Sequence, residues 1–142
     1  METNKIKLSE QNLAMHFENA PLAVIEWDKE LLIKRWSKRA EEIFGWTQEE
    51  TFGKNINDLN LVYDEDTEAV WKVASQLMNG LVARKLSVNR NYTEDGRMLY
   101  CEWYNSVLKD EQGGIITVLS LVHDVTEKKK AEDELKRSEE KF

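Results

Sequence analysis

The side chains able to do chemistry are few and scattered: His16, His123, Cys101, the acidic run Asp64-Glu65-Asp66 and the pair Glu139-Glu140. A phosphoacceptor role for His16 would need an activating acid beside it. Phe17 holds that place, and no glycine-rich nucleotide loop exists to supply ATP. His123 stands beside Asp124, a pairing that can titrate near neutrality as a switch and more commonly only completes a hydrogen-bonded junction. Cys101 falls on the apolar parity of a strand candidate, where a thiol behaves as a small buried hydrophobe rather than a redox sensor. Two histidines and one cysteine at remote positions form no metal-ligand cluster. The acids sit at helix starts or on solvated faces, which gives no paired-carboxylate machinery. No nucleophile, base and oxyanion-donor set can be assembled, so the chain is read as non-enzymatic.

What remains is mechanical. The apolar run Ile115 to Val122 passes through His123-Asp124-Val125-Thr126 straight into the charged stretch Glu127 to Phe142. A strand that empties without a loop into a solvated helix reads as an output device.

Composition bounds the rest. With 142 residues, 41% of them apolar, one core is expected, burying about 70% of the extended-chain surface. A net charge of -7 disfavours nucleic acid and anionic lipid as partners, because an acidic surface releases no counterions from either. The single cysteine forbids an internal disulfide and fits a reducing compartment, so the cytoplasm is the expected location. The longest apolar stretch is broken by Thr117 and Ser120 and is too short for the roughly 20 residues of a membrane helix. Lys5 and Lys7 lead into Ser9-Glu10-Gln11-Asn12 instead of a signal-peptide core.

The elements that must position these groups follow from punctuation and period. Leu8 to Phe17 suits a modest amphipathic helix, ended by Pro21. Leu22–Trp27 and Leu31–Trp36 form a strand pair around the turn Asp28-Lys29-Glu30. Ser37 caps a helix over Lys38–Phe44 that Gly45 stops, and Thr47 with Glu50 makes a capping box for a second short helix. Asp64 or Asp66 caps a longer helix in which Val70, Val73, Ala74 and Leu77 share a face, and Asn79-Gly80 ends it. Leu86, Val88 and Tyr92 alternate in the next strand, and Asp95-Gly96 turns into Arg97–Leu108, with Leu99, Cys101, Trp103 and Val107 on one parity. The final strand is apolar on both parities and so is expected at the sheet centre. Helices gathered between the second and third strands imply an α+β layout, with an antiparallel sheet covered on one face and a cavity between the layers.

Four stretches in this order resemble the PAS domain family over nearly the whole chain: Phe17-Glu18-Asn19-Ala20-Pro21, Trp36-Ser37-Lys38-Arg39-Ala40-Glu41-Glu42-Ile43-Phe44-Gly45-Trp46, Glu94-Asp95-Gly96-Arg97 with Glu102-Trp103, and Asp124-Val125-Thr126-Glu127-Lys128. The resemblance implies a five-stranded antiparallel sheet in the order 2-1-5-4-3. It divides the chain into an N-terminal flanking helix in 1–20, a core in 21–125 and a signalling helix in 126–142. The closing D-x-T falls on Asp124 and Thr126, where a carboxylate can fix the junction and a hydroxyl can cap the helix. The family assigns that motif to signal relay; ordinary capping is the plain alternative. Ser37 stands where many relatives carry asparagine, and it still caps. The flavin-photosensing relatives' cysteine motif is missing from Gly53-Lys54-Asn55-Ile56-Asn57, which disfavours covalent flavin chemistry. Asp66 to Met78 holds no histidine, which disfavours axial haem ligation from that helix.

The expected activity is therefore that of a sensory and dimerisation module whose small organic ligand, if it takes one, is unidentified. Parity and periodicity nominate Ile25, Ile33, Phe44, Val70, Val73, Leu77, Trp103, Asn105, Leu119 and Leu121 for the pocket, with Asn105 as its orienting polar group. Of the five tryptophans, Trp36, Trp71 or Trp103 could line the cavity, core filling being the commoner use. Ala131, Leu135, Ser138 and Phe142 form a 4-3-4 seam suited to a short parallel coiled coil and a homodimer. Ser138-Glu139-Glu140-Lys141-Phe142 looks like the opening of another PAS unit, so the expected neighbour in the polypeptide is a further PAS or a histidine kinase domain. The alternative reading is a ligand-free dimerisation adaptor with a fully packed core.

Overall fold

The structure, a computed structural model, describes residues 21–140. The helix expected over Leu8–Phe17, His16, and Phe142 of the seam lie outside the described residues.

Strands β1 (Ala23–Trp27) and β2 (Ile33–Trp36) pair antiparallel. Their turn is longer than the three polar residues suggested. Asp28 Oδ1 accepts from the amides of Glu30 (2.8 Å) and Leu32 (3.0 Å), and Leu31 takes a positive φ of 63°. This side-chain-templated turn delays the second strand by two residues. Helix α1 (Lys38–Phe44) starts where Ser37 Oγ accepts from Ala40 N at 3.2 Å, and the same oxygen accepts from Val24 N at 2.9 Å. One hydroxyl thereby caps the helix and locks it to β1. Gly45 closes α1 in the left-handed conformation (φ 85°), donating its amide to Glu41 O, a geometry a Cβ would strain. Helix α2 (Gln48–Thr51) opens on the reciprocal Thr47–Glu50 capping box.

A 3₁₀ turn (Asp64–Asp66) leads into α3 (Thr67–Met78). Neither aspartate caps it. Asp66 turns its carboxylate to Arg90, accepting from the backbone amide at 2.7 Å and from the guanidinium at 2.7 and 3.0 Å. Charge-assisted, two-pronged bonds outweigh a single cap bond. Arg90 also lies over the Tyr63 ring, 4.1 Å from its centroid, so the start of α3 is clamped to the edge of the sheet.

β3 (Arg84–Tyr92), β4 (Met98–Lys109) and β5 (Ile115–Asp124) complete a five-stranded antiparallel sheet in the order β2-β1-β5-β4-β3, with β5 central as expected. Helix α4 (Thr126–Glu140) leaves the end of β5. The helices between β2 and β3 cover one face. Beneath them Phe44 is fully buried, 5.5 Å from the Trp36 ring and 5.9 Å from that of Trp103. Ile25, Ile33, Leu61, Cys101 and Val122 fill the rest of the centre. Each large apolar side chain removed from water there contributes about 1.5–3 kcal/mol.

β3 inverts its expected polarity. Leu86 and Val88 are 49% and 65% exposed, whereas Asn89 and Asn91 are 7% and 0% exposed. Register fixes this, since Ser87, Asn89 and Asn91 pair with Trp103, Cys101 and Leu99, the inward parity of β4. The strand turns its uncharged polar side chains toward the helices.

Candidate functional site

Between α3 and the inner face of β3, β4 and β5 lies a cavity of about 80 Å³. The helix supplies Val70, Trp71, Val73, Ala74 and Leu77; Leu31, Ile56, Leu61 and Val62 extend the apolar wall. The sheet supplies Trp27, Ser87, Asn89, Asn91, Trp103, Asn105, Val118 and Ser120. No charged residue is among them.

Most of the sheet's polar groups answer one another. The Trp27 indole N–H donates to Ser120 Oγ (2.9 Å), whose hydroxyl donates to Asn105 Oδ1 (2.6 Å). Asn105 Nδ2 donates to the carbonyls of Lys85 (3.2 Å) and Trp103 (3.3 Å). The Trp103 indole N–H donates to Asn91 Oδ1 (2.9 Å), and Asn91 Nδ2 donates to Leu61 O (3.1 Å). Asn89 is the exception: its Nδ2 donates to Ser87 Oγ (3.0 Å), while its Oδ1 is buried without a partner.

Five of the ten pocket candidates, Val70, Val73, Leu77, Trp103 and Asn105, line this cavity. Ile25, Ile33 and Phe44 belong to the core beside it. Leu119 and Leu121 flank the cavity-facing Ser120 in sequence and so point to the opposite sheet face, which corrects their assignment. Trp71 and Trp103 reach the cavity; Trp36 packs in the core. Trp27, Ser87, Asn89, Asn91 and Ser120 were missed. The signal for the β3 residues was available: in 86–92 the uncharged polar residues Ser87, Asn89 and Asn91 share one parity, and Arg90 occupies the other.

The second arrangement is the strand-to-helix junction. Asp124 Oδ1 accepts from Thr126 N (3.0 Å) and from the Thr126 hydroxyl (2.5 Å). Thr126 Oγ1 in turn accepts from Tyr100 N (3.0 Å), and Val125 N donates to Tyr100 O (2.8 Å). Thr126 is the first residue of α4 and not its cap. Its hydroxyl braces the helix to β4, a cross-strand role beyond the capping expected of it. Asp124 pairs with Cys101 and Ser120 with Asn105, so cavity wall and junction are parts of the same two strands.

The remaining reactive groups are placed elsewhere. Cys101 is fully buried, and burial pushes its thiol far above the ordinary range, with the Asp124 charge adding to the effect. His123 is on the outer parity, Nδ1 3.4 Å from Glu102 Oε1. No group of metal-ligating side chains occurs among the described residues. In the connector, Ala131, Leu135 and Ser138 are exposed, Leu135 by 62%. The free volume of about 80 Å³ is far below the roughly 300–1,000 Å³ of sites for larger ligands.

Comparison with known proteins agrees with this geometry. The PAS domain of a protein from Colwellia psychrerythraea is 23% identical, with a TM-score of 0.73 over 82% of this chain and 97% of that one. An RNA-binding light-oxygen-voltage receptor is 20% identical, with a TM-score of 0.79 over 94% of this chain, which spans 38% of the receptor chain. A sensory box histidine kinase/response regulator from Burkholderia thailandensis E264 is 17% identical, with a TM-score of 0.70 over 91% and 95% of the two chains. No curated protein matches the sequence. The family model described as the PAS fold matches residues 13–125, and the sheet order is the one its members share; this chain belongs to the PAS family.

Proposed function

We propose that this PAS domain is a ligand-sensing relay in a longer signalling protein. Occupancy of the cavity shifts β4 and β5, and the Asp124–Thr126 brace passes the shift to α4. One observation carries the reading: Trp103, Asn105 and Ser120 touch the cavity, while Tyr100 and Asp124, on the same two strands, hold the first residue of the output helix. Coupling then needs no separate pathway, since displacing either strand changes the geometry at Thr126.

In this proposal residues 126–142 are a connector pairing through Ala131, Leu135, Ser138 and Phe142 into a homodimer. The output lies outside the chain, with a histidine kinase as the favoured class and a further PAS unit as the neighbour. The location is cytoplasmic, even where the parent is membrane-anchored. No helix among the described residues is long and apolar enough to cross a membrane, and the net charge of -7 argues against a nucleic-acid role. The module itself performs no catalysis.

The small cavity favours a second reading, a ligand-free dimerisation adaptor. Native mass spectrometry with a thermal-shift metabolite screen separates the two. Co-purified or stabilising small molecules are expected; silence across the screen with tight dimers would replace the sensor by the adaptor. In the full-length protein, Asp124→Ala should alter output and leave ligand occupancy unchanged. Unaltered output would reduce the motif to a structural joint.

A further inference from the structure

We infer that the cavity selects an uncharged single-ring molecule with one hydrogen-bond donor, read by Asn89. The inference rests on the sensing reading and names the ligand chemistry within it.

Charge is excluded by the lining. None of the side chains around the cavity is Asp, Glu, Lys, Arg or His. A carboxylate, phosphate or ammonium would shed its hydration there with no countercharge to meet it.

The donor requirement follows from the hydrogen-bond inventory. A side-chain amide has an acceptor oxygen and a two-proton donor. Asn91 and Asn105 use both ends on protein partners. Ser120 donates to Asn105 and accepts from Trp27, and the cavity-lining Trp27 and Trp103 have both committed their indole N–H groups. These groups are closed to a ligand unless a bond breaks. Of the buried lining atoms only Asn89 Oδ1 is left over, sealed from solvent so that bulk water does not serve it; the Trp71 indole N–H and the Ser87 hydroxyl proton also lack protein partners but belong to partly exposed residues. A ligand O–H or N–H reaching this oxygen gains a bond that folding left unmade, whereas an acceptor-only ligand leaves the deficit in place.

Size and shape come from the walls. A cavity of roughly 150 Å³ lined by apolar side chains holds benzene, so the present 80 Å³ limits the occupant to one ring and requires a small outward movement. The side of α3 can give: Val70, Trp71, Val73 and Ala74 are only partly buried, and Leu77 alone is fully packed. Trp27, Trp71 and Trp103 among the lining residues favour an aromatic ring over an aliphatic one.

Phenol, anisole and benzoate share a ring and differ in donor and charge. Titrating each into the protein, with the indole N–H resonances of Trp27 and Trp103 as the local readout, tests the inference. Phenol should bind at least tenfold more tightly than anisole, and benzoate should leave both resonances in place. In Asn89→Leu the phenol advantage should vanish while the protein stays folded, because the substitution removes an unpaired buried acceptor. Anisole or benzoate binding within threefold of phenol would overturn the inference yet leave a ligand cavity standing. A phenol preference that survives Asn89→Leu overturns the assignment to that residue. Binding by none of the three overturns the inference, and the metabolite screen then decides whether the sensing reading falls with it.

Discussion

Thr126→Val is the sharpest test of the junction, because valine keeps the shape of threonine and removes only the hydroxyl. Thr126 is 9% exposed, and its Oγ1 both donates to Asp124 Oδ1 at 2.5 Å and accepts from Tyr100 N at 3.0 Å. A hydrogen bond to a charged acceptor contributes about 1.5–3 kcal/mol, and a buried donor left unpaired costs about 1–3 kcal/mol. Asp124 keeps the Thr126 amide and part of its hydration, so the combined loss is put at about 2–3 kcal/mol. The Val125–Tyr100 backbone bond survives, which confines the loss to the base of α4 instead of the sheet. Hydrogen exchange of the hydrogen-bonded amides at the base of α4, those of Thr126, Lys129 and Lys130, should therefore accelerate by roughly 30-fold or more, since about 1.4 kcal/mol is a factor of ten. Amides of β1 and β5 should change far less. Unchanged exchange at the base of α4 would refute the brace. Equal acceleration through the whole sheet would show that the hydroxyl supports the fold at large and carries no special link to the helix.

Three further outcomes follow from other contacts. Asn91→Leu strands the Trp103 indole N–H, while the Leu61 carbonyl keeps its bond from the Tyr92 amide, and should cost about 1–3 kcal/mol. Asn89→Leu, two residues away, should be neutral or stabilising; paired urea titrations giving equal losses would contradict the inventory. The Asp66 carboxyl is held below the ordinary carboxylate range by hydrogen bonds from Arg90, against the opposing effect of burial. Its contribution is therefore fully present above the unfolded value of about 3.9 and is lost as pH falls through the lower folded value. Asp66→Asn should flatten the urea midpoint between about pH 5 and pH 2 relative to wild type, and parallel profiles would contradict the assignment. For the proposed dimer, Leu135→Lys or truncation before Glu127 should shift sedimentation toward the monomer, and unchanged sedimentation would remove the seam.

Local chemistry made most elements legible in the sequence. Ser37, the Thr47–Glu50 box, Gly45 and Asn79-Gly80 act within a turn of the residues they organise, and α1, α2 and the end of α3 fall where they point. The central placement of β5 was legible because a strand flanked on both sides carries apolar residues on both parities. Asp66 was misread because its partner, Arg90, is 24 residues away and no local rule sees it. Leu119 and Leu121 were misassigned for a related reason: in a strand apolar on both parities, composition does not say which parity meets the helices. Ser120 would have decided it, had its hydroxyl been matched to Trp27 and Asn105.

The β3 inversion joins the fold to the proposed function. Apolar Leu86 and Val88 are left in solvent while Asn89 and Asn91 are buried, a choice that forgoes the stabilisation of two packed aliphatic side chains on the helix side. A strand selected for stability alone would place them the other way round. Asn91 recovers its burial cost through Trp103 and Leu61, whereas Asn89 recovers only half of its own. Local sequence rules fail where a site overrides packing, and β3, one strand of the cavity wall, is such a place. That strand pairs with β4, which also holds Thr126 through Tyr100. A partner for Asn89 would accordingly act on the sheet one strand away from the output helix.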